Sequence, residues 1–390
     1  MQPFHAGRRV LALISIVFAA LLGGGAGALL ASCGPFTDLT DAVFCPFVLE
    51  IFYLGITTGT TSTTYDPAGN VNRLQMAAFL SRTVDGVLKR GSRRAALDQF
   101  WTSQNDTVLG LTSVGLNPQF VQSDGADLWV ANANGDTISR VRGSDGRLLE
   151  TWTGATKVEG VLVAMGRVFA AAFTNPGQLY RIDPSQAAGA VTTVASSLGN
   201  GAFGIAFDGS RVWTANVSGS VSIVTPGVSP PWTVTTVTTG FLNLRGALYD
   251  GANVWVTDLS ASALLKLDSS GAILQTVTVG DSPFFPVFDG TSIWVPNYFS
   301  NSVSVIRASN GTVLATLTGN GLNNPESAAF DGQRVLVTNY SGNSVSLWKA
   351  ADLTTLGSFA TGVGSNPAGA CSDGVNFWIT LYNANKFARF

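Results

Sequence analysis

An Asp-Gly pair returns along most of this chain, at Asp124, Asp208, Asp250, Asp289, Asp331 and Asp373. The spacings are 84, 42, 39, 42 and 42 residues, and Met165-Gly166 stands near the middle of the double-length gap as a seventh, degenerate copy. Asp-Gly accommodates φ > 0 and marks tight hairpins between alternating apolar runs. Five residues after most pairs stands a large apolar residue: Trp129, Trp213, Trp255, Trp294, Leu336 or Trp378, with Phe169 one residue early in the degenerate copy. Three residues further on stands Asn132, Asn216, Asp258, Asn297 or Asn339. An Asx side chain there is expected to bond its own backbone in the next turn.

The repeat around Asp331 holds four strand-like runs, at 327–330, 335–339, 344–348 and 354–360, each rich in Val, Thr, Leu or aromatic residues. Strict alternation, as in Ser302-Val303-Ser304-Val305, excludes a helical solenoid of the same period. Four strands at a period near forty, seven times over, predict an all-β fold, a seven-bladed β-propeller.

The ends of the array predict how the ring closes. TVLGLTS at 107–113 matches TVLATLT at 312–318, and GLNPQFVQSDG (115–125) matches GLNNPESAAFDG (321–332). The last repeat, 368–390, supplies three strands and lacks such a segment. The N-terminal strand is therefore expected to complete blade seven and remove the last unpaired edges.

The pattern P-x-x-x-x-x-D-G-x-x-x-W-V-x-N-x-x-x-N-x-V-x-x-I runs through Pro283–Ile306 and, with substitutions, through Pro118–Val141 and Pro325–Trp348. It resembles the YVTN and NHL-type propeller repeats, including the virginiamycin B lyase-like group. The lyases of that group imply a histidine general base with an acid-bound metal. The one histidine here, His5, lies in the leader, so neither a His base nor a His-built metal site is expected. No cofactor and no metal are expected, and no nucleophile-elbow, P-loop or Cys-x-x-Cys motif is present. The repeated aspartates are read as hairpin residues rather than calcium ligands.

Charged residues make up only 12% of the chain and the formal net charge is −2; without Arg8 and Arg9 it becomes −4. Nucleic acid, which calls for a basic face, is not an expected partner. Residues 1–33 read as a signal peptide or lipoprotein leader, with an uncleaved membrane anchor as the other reading: Arg8-Arg9, an apolar run from Val10 to Ser32 long enough to span, then Cys33 in a lipobox-like Leu30-Ala31-Ser32-Cys33. Cys33 is a candidate for lipidation, a Cys33–Cys45 disulfide is open to an exported protein, and reduced, buried Cys45 and Cys371 are the other reading. Membrane contact would run through the leader or a lipid, and the expected location is extracytoplasmic.

Residues 34–88 change rhythm. Phe44, Phe47, Val48, Ile51, Phe52 and Leu54 keep helical spacing. Asn72 is expected to cap a second helix with Gln75 as capping-box partner, and Met76, Phe79, Leu80, Val84, Val87 and Leu88 form its stripe. Two such helices are expected to bury their stripes on each other or on a partner. Phe36-Thr37-Asp38, Leu54-Gly55-Ile56-Thr57, Tyr65-Asp66-Pro67 and Val71–Leu80 resemble one copy of an S-layer homology (SLH) domain. That resemblance implies attachment to cell-wall polysaccharide or peptidoglycan of a bacterial envelope, with Arg73 aligned with the family's glycan-binding arginine. A basic linker, 89–105, separates this module from the propeller at 106–390.

Propeller ligands enter at the central channel. Aligned on the Asp-Gly turn, the residue after the recurrent proline is Gln119, Gly160, Phe203, Arg245, Phe284, Glu326 or Ala368. Arg245 and Glu326, from blades four and six, are the candidate ligand-binding pair, read against a plain salt bridge. The tryptophans read as packing between blades. The 225–233 insertion, with Pro226, Pro230 and Pro231, reads either as a binding loop or as a neutral insertion. The leading functional expectation is a non-enzymatic cell-envelope protein that presents the propeller to a protein or small-molecule ligand. The alternatives are a streptogramin-lyase or lactonase-type enzyme and a structural surface-layer component.

Overall fold

The computed structural model describes residues 110–390 without a break and, before them, residues 35–39, 44, 45, 48, 51, 52, 57, 59–73, 75–80 and 83. The chain divides into two compact units, 1–86 and 87–390. The leader, Cys33 and the basic linker lie outside the described residues.

The second unit is seven four-stranded antiparallel sheets. Blade one runs Pro118–Ser123, Asp127–Asn132, Thr137–Arg142 and Leu148–Thr153 from inner to outer edge. The inner strands of blades two to seven are Val158–Ala164, Ala202–Phe207, Leu244–Tyr249, Val287–Phe288, Pro325–Phe330 and Pro367–Ser372. Blade seven takes its outer strand from Gly110–Ser113, which pairs antiparallel with Lys386–Arg389 in the register Gly110↔Arg389 to Ser113↔Lys386. The expected closure is therefore observed. It leaves no inner-edge or outer-edge strand dangling at the junction of the two ends.

The Asp-Gly repeat has a specific physical task. Asp289 Oδ1 accepts from the backbone N–H groups of Thr291 and Ser292, while Oδ2 accepts from Trp294 Nε1 at 2.7 Å. Asp124, Asp208, Asp250 and Asp373 do the same with Trp129, Trp213, Trp255 and Trp378. The carboxylate thus shapes the hairpin and satisfies an indole that is otherwise sealed between blades. In blade six Leu336 has no side-chain N–H to offer, and Asp331 instead accepts from Arg334 Nε at 2.7 Å. Basic side chains cover the tryptophans: Arg140 lies 5.2 Å from the Trp129 ring, Arg211 5.1 Å from Trp213 and Lys266 5.1 Å from Trp255.

Asp258, at the end of the second strand of blade four, bonds its own turn as expected, accepting from the Ala261 N–H at 3.1 Å, whereas the asparagines at the same position do not. Asn132, Asn216, Asn297 and Asn339 are fully buried, and each donates through Nδ2 to two hydroxyls of the third strand, such as Ser302 and Ser304 for Asn297. Burial removes water as a partner, so the side chain reaches the nearest hydroxyls instead.

The 225–233 insertion is a clamp. Trp232 is buried, donates its backbone N–H to the Val194 carbonyl of blade two at 2.7 Å, and meets the Phe169 ring at 5.8 Å with Arg181 5.7 Å from the indole. It joins blade three to blade two.

In the first unit, Phe36 is buried against Phe52 (5.1 Å) and Tyr65 (5.6 Å). Asp38 accepts from the backbone N–H groups of Tyr65 and Asp66, bonds that hold its carboxyl below the usual range. The capping box is present: Gln75 N donates to Asn72 Oδ1 and Asn72 N to Gln75 Oε1, both at 2.9 Å. Met76 and Leu80 are exposed, so that part of the expected stripe is not buried on the first helix. Cys45 is disulfide-bonded, which corrects the reading of it as a reduced core cysteine; Cys371 is free.

Candidate functional site

Strand pairing identifies the residues that ring the channel. Pro118, Val158, Ala202, Leu244, Pro325 and Pro367 each pair with the end of their second strand, and the register shifts immediately after each. The residue that follows sits in a β-bulge, which frees it from the ladder and re-aims its side chain. In order, those residues are Gln119, Glu159, Phe203, Arg245, Glu326 and Ala368; in blade five the corresponding residue is Phe284, after Pro283, which bridges Asn297.

Blade two corrects the sequence alignment. Its inner strand has one residue more before the turn, so Glu159, not Gly160, occupies the ring position. Gly160 packs instead against the next blade, where a Cβ would lie 2.3 Å from the Phe203 carbonyl oxygen. Buried threonines of the second strands fill the bulges. Thr257, Thr338 and Thr380 accept from the N–H groups of Gly246, Ser327 and Gly369, and donate to the ring carbonyls of the following blade: Phe284, Ala368 and Gln119.

The polar ring residues share one charge system. Gln119 Nε2 donates to Glu326 Oε1 at 2.8 Å; they come from blades one and six, and the small Ala368 of blade seven lies between. Glu326 is buried, and burial pushes its carboxyl up to about 8 despite the Gln119 bond. Burial likewise pushes Glu159 up to about 8, against the attraction of Arg245. Burial works against the Arg245 charge in turn, while Glu159 and Glu326 favour it. Arg245 and Glu326 are therefore brought into one cluster with a second acid that the sequence alignment missed. Arg245 is flanked by aromatic rings, Phe203 at 5.2 Å and Phe284 at 5.8 Å, and its Nη1 is buried with no hydrogen-bond partner.

Aromatic rings close the channel on one side of this cluster. Phe120 of blade one meets Phe285 of blade five at 4.1 Å, and Phe285 stacks on Phe203 of blade three at 5.4 Å. These blades are not neighbours, so the contacts cross the axis. Phe285 reaches inward because its strand leaves its own blade: its N–H donates to the Glu326 carbonyl, and Ala328 N donates back to Phe285. Toward the turn face lies a cavity of about 430 Å³, lined by the same Phe120, Phe203 and Phe285 together with Gln122, Tyr249 and Phe288.

Above the ring, Tyr298, Tyr340 and Tyr382 form an arc, with successive rings 6.4 and 6.2 Å apart, and Phe284 stacks on Tyr298 at 4.9 Å. Burial and the nearby Glu326 push the Tyr340 phenol up to about 12. Sequence reasoning passed over this arc, although the three tyrosines recur at 42-residue spacing one position after the second strand of blades five, six and seven. Arg73, the other candidate, is exposed in the first turn of the Asn72-capped helix of the first unit. Among the described residues no three His, Cys, Asp or Glu side chains cluster as metal ligands.

Neither a family model nor a curated protein sequence matches the chain, so the SLH resemblance rests on its quoted residues alone. In structure the chain is similar to a streptogramin B lyase, at 15% identity and a TM-score of 0.61, covering 72% of this chain and 97% of that one. The virginiamycin B lyase of Staphylococcus aureus matches at 16% and 0.61, over 72% and 99% of the two chains. The WD40 propeller of Doa1 matches at 11% and 0.60, over 73% and 97%. At such identities the likeness establishes the propeller fold.

Proposed function

We propose that the protein is a non-enzymatic ligand-binding propeller whose ligand enters the funnel above the Phe120–Phe285 crossing. The observation that carries this reading is Arg245: its Nη1 is buried without a partner at a position where a β-bulge frees the side chain from the ladder. Two acids and an aromatic arc stand beside it, with the Phe120–Phe285–Phe203 contacts across the axis. A thermal-shift screen of small polar molecules tests it. A ligand at 100 times its Kd stabilises the fold by about 2.7 kcal/mol. The shift should disappear in Tyr340→Ala; a screen without hits, or hits indifferent to funnel substitutions, overturns the reading.

One observation favours an enzyme instead. Glu159 and Glu326, pushed up to about 8, exchange protons near neutral pH, as a general acid or base must. Against a lyase of the streptogramin type, a histidine-to-alanine virginiamycin B lyase is described as catalytically inactive, and residues 110–390 here contain no histidine. Incubation with quinupristin is expected to leave it intact; its cleavage, lost in Glu326→Gln, would establish the enzyme.

We also infer that residues 34–88 associate with cell-wall polysaccharide or peptidoglycan in an extracytoplasmic setting. The supports are the SLH-like residues, the exposed Arg73 and the disulfide-bonded Cys45, a bond that persists in oxidising compartments. Co-sedimentation of the full chain with cell-wall material, lost in Arg73→Ala, is the expected result.

A further inference from the structure

The unsatisfied group in the funnel is a hydrogen-bond donor. Arg245 Nη1 is buried and unpartnered, whereas no oxygen of Glu159 or Glu326 is in that condition, and Glu326 Oε1 already accepts from Gln119. The site therefore lacks an acceptor. A ligand that brings a negative, planar, two-oxygen group matches a guanidinium, whose fork donates two parallel bonds. Phe203 and Phe284 on its flanks, at 5.2 and 5.8 Å, restrain the guanidinium and keep bulk water from it.

The rest of the funnel describes the body attached to that group. Tyr298, Tyr340 and Tyr382 offer three ring faces in an arc beside Phe284, and no lysine or further arginine stands in the ring. Flat apolar matter is favoured there by offset or edge contact. Resting on the funnel reading above, we propose that this site binds a small aromatic monocarboxylate, its carboxylate on Arg245 and its ring against the Tyr298–Tyr340–Tyr382 arc.

Charge balance gives the proposal a second signature. A buried guanidinium needs one counter-charge. The titratable groups that act on its charge are Glu159 of blade two and Glu326 of blade six; the tyrosines of blades five, six and seven stand near Glu326, and burial pushes their phenols upward. Below about pH 8 both glutamates hold their protons and Arg245 lacks a counter-charge; as pH rises through 8 an ionised glutamate supplies it in the free protein. A bound carboxylate takes its place, and the displaced charge is neutralised by a proton from solvent. The raised carboxyl values of Glu159 and Glu326 agree with this direction. Binding then takes up as much as one proton and weakens once the glutamates ionise above about pH 8.

Calorimetric titration of the full chain with benzoate and with its cationic counterpart benzylamine tests this. Benzoate should bind at pH 6.5 with little proton exchange and at pH 8 with net proton uptake, read from buffers of different ionisation enthalpy. Its affinity should fall at least tenfold in Arg245→Gln, fall in Tyr340→Ala, and fall again between pH 8 and 9. Benzylamine bound in preference, with the site weakened by Tyr340→Ala, would overturn the carboxylate while leaving the funnel as a binding site. Benzoate affinity unchanged in Arg245→Gln, or no binding of either probe at millimolar concentration, would also overturn it; the funnel itself then stands or falls by the thermal-shift screen.

Discussion

Gln119 Nε2 donates to Glu326 Oε1 at 2.8 Å across the width of blade seven. The two residues are 207 positions apart in the chain, and the bond exists because the ring is closed. It holds a buried carboxyl beside the channel axis at a point where water is excluded, and the pH behaviour of the protein follows from that.

Glu326 in the folded protein is pushed up to about 8 from an ordinary 4.5. Between those values the folded state holds a proton that the unfolded chain releases, so stability falls as pH rises from about 4.5 toward 8. Glu326→Gln keeps the shape and cannot ionise. At pH 8 the variant should exceed the wild type in stability by at least ~1.4 kcal/mol, the equivalent of one pKa unit. At pH 4.5 the two should converge. Urea denaturation at both pH values checks this.

Asp289→Ala removes the acceptor of two backbone N–H groups and of the buried Trp294 indole. The expected cost is about 2–3 kcal/mol, since a sealed donor is left unpaired. Asp331→Ala, which releases a half-exposed Arg334 rather than an indole, should cost less. Shifts in denaturation midpoint at constant slope report both.

Trp232 separates packing from hydrogen bonding. Its Nε1 is buried with no partner, so Trp232→Phe gives up no hydrogen bond and should cost under about 1.5 kcal/mol. Trp232→Ala empties the space between Phe169 and Arg181 and should cost about 3–5 kcal/mol. Should the two variants prove equally unstable, the clamp is held by something other than its bulk.

Deleting residues 1–113 strips the outer strand from blade seven and exposes the Lys386–Arg389 edge. The shortened chain should lose its single cooperative unfolding transition and associate through that edge, observable by size-exclusion chromatography. A monomeric chain with unchanged melting would show that closure contributes little.

Much of this was legible in the residues. Each Asp-Gly turn and its tryptophan five positions on is a local signal, because the carboxylate serves backbone and side chain within one hairpin. The strand that seals the ring was legible because it repeats a segment found inside the array. The Asn72–Gln75 box was legible because capping is confined to four residues.

The site was legible only in part. Arg245 and Glu326 were found by counting back from the turn, and the same count failed in blade two. One extra residue in Val158–Ala164 moves the ring position to Glu159, and that insertion cannot be located without knowing which residue faces Ala172 across the sheet. The buried asparagines misled because an Asx side chain prefers its own turn in water, and burial reverses the preference.

The sequence by itself determined the repeat, the hairpins and the closure, since each depends on groups a few residues apart or on a copied segment. Tertiary structure alone decided that Phe120 and Phe285 meet across the axis, that Gln119 serves Glu326, and that Arg245 is left without an acceptor. These are relations between blades that are not adjacent. They arise when seven sheets pack round one axis, a distance no local pattern encodes.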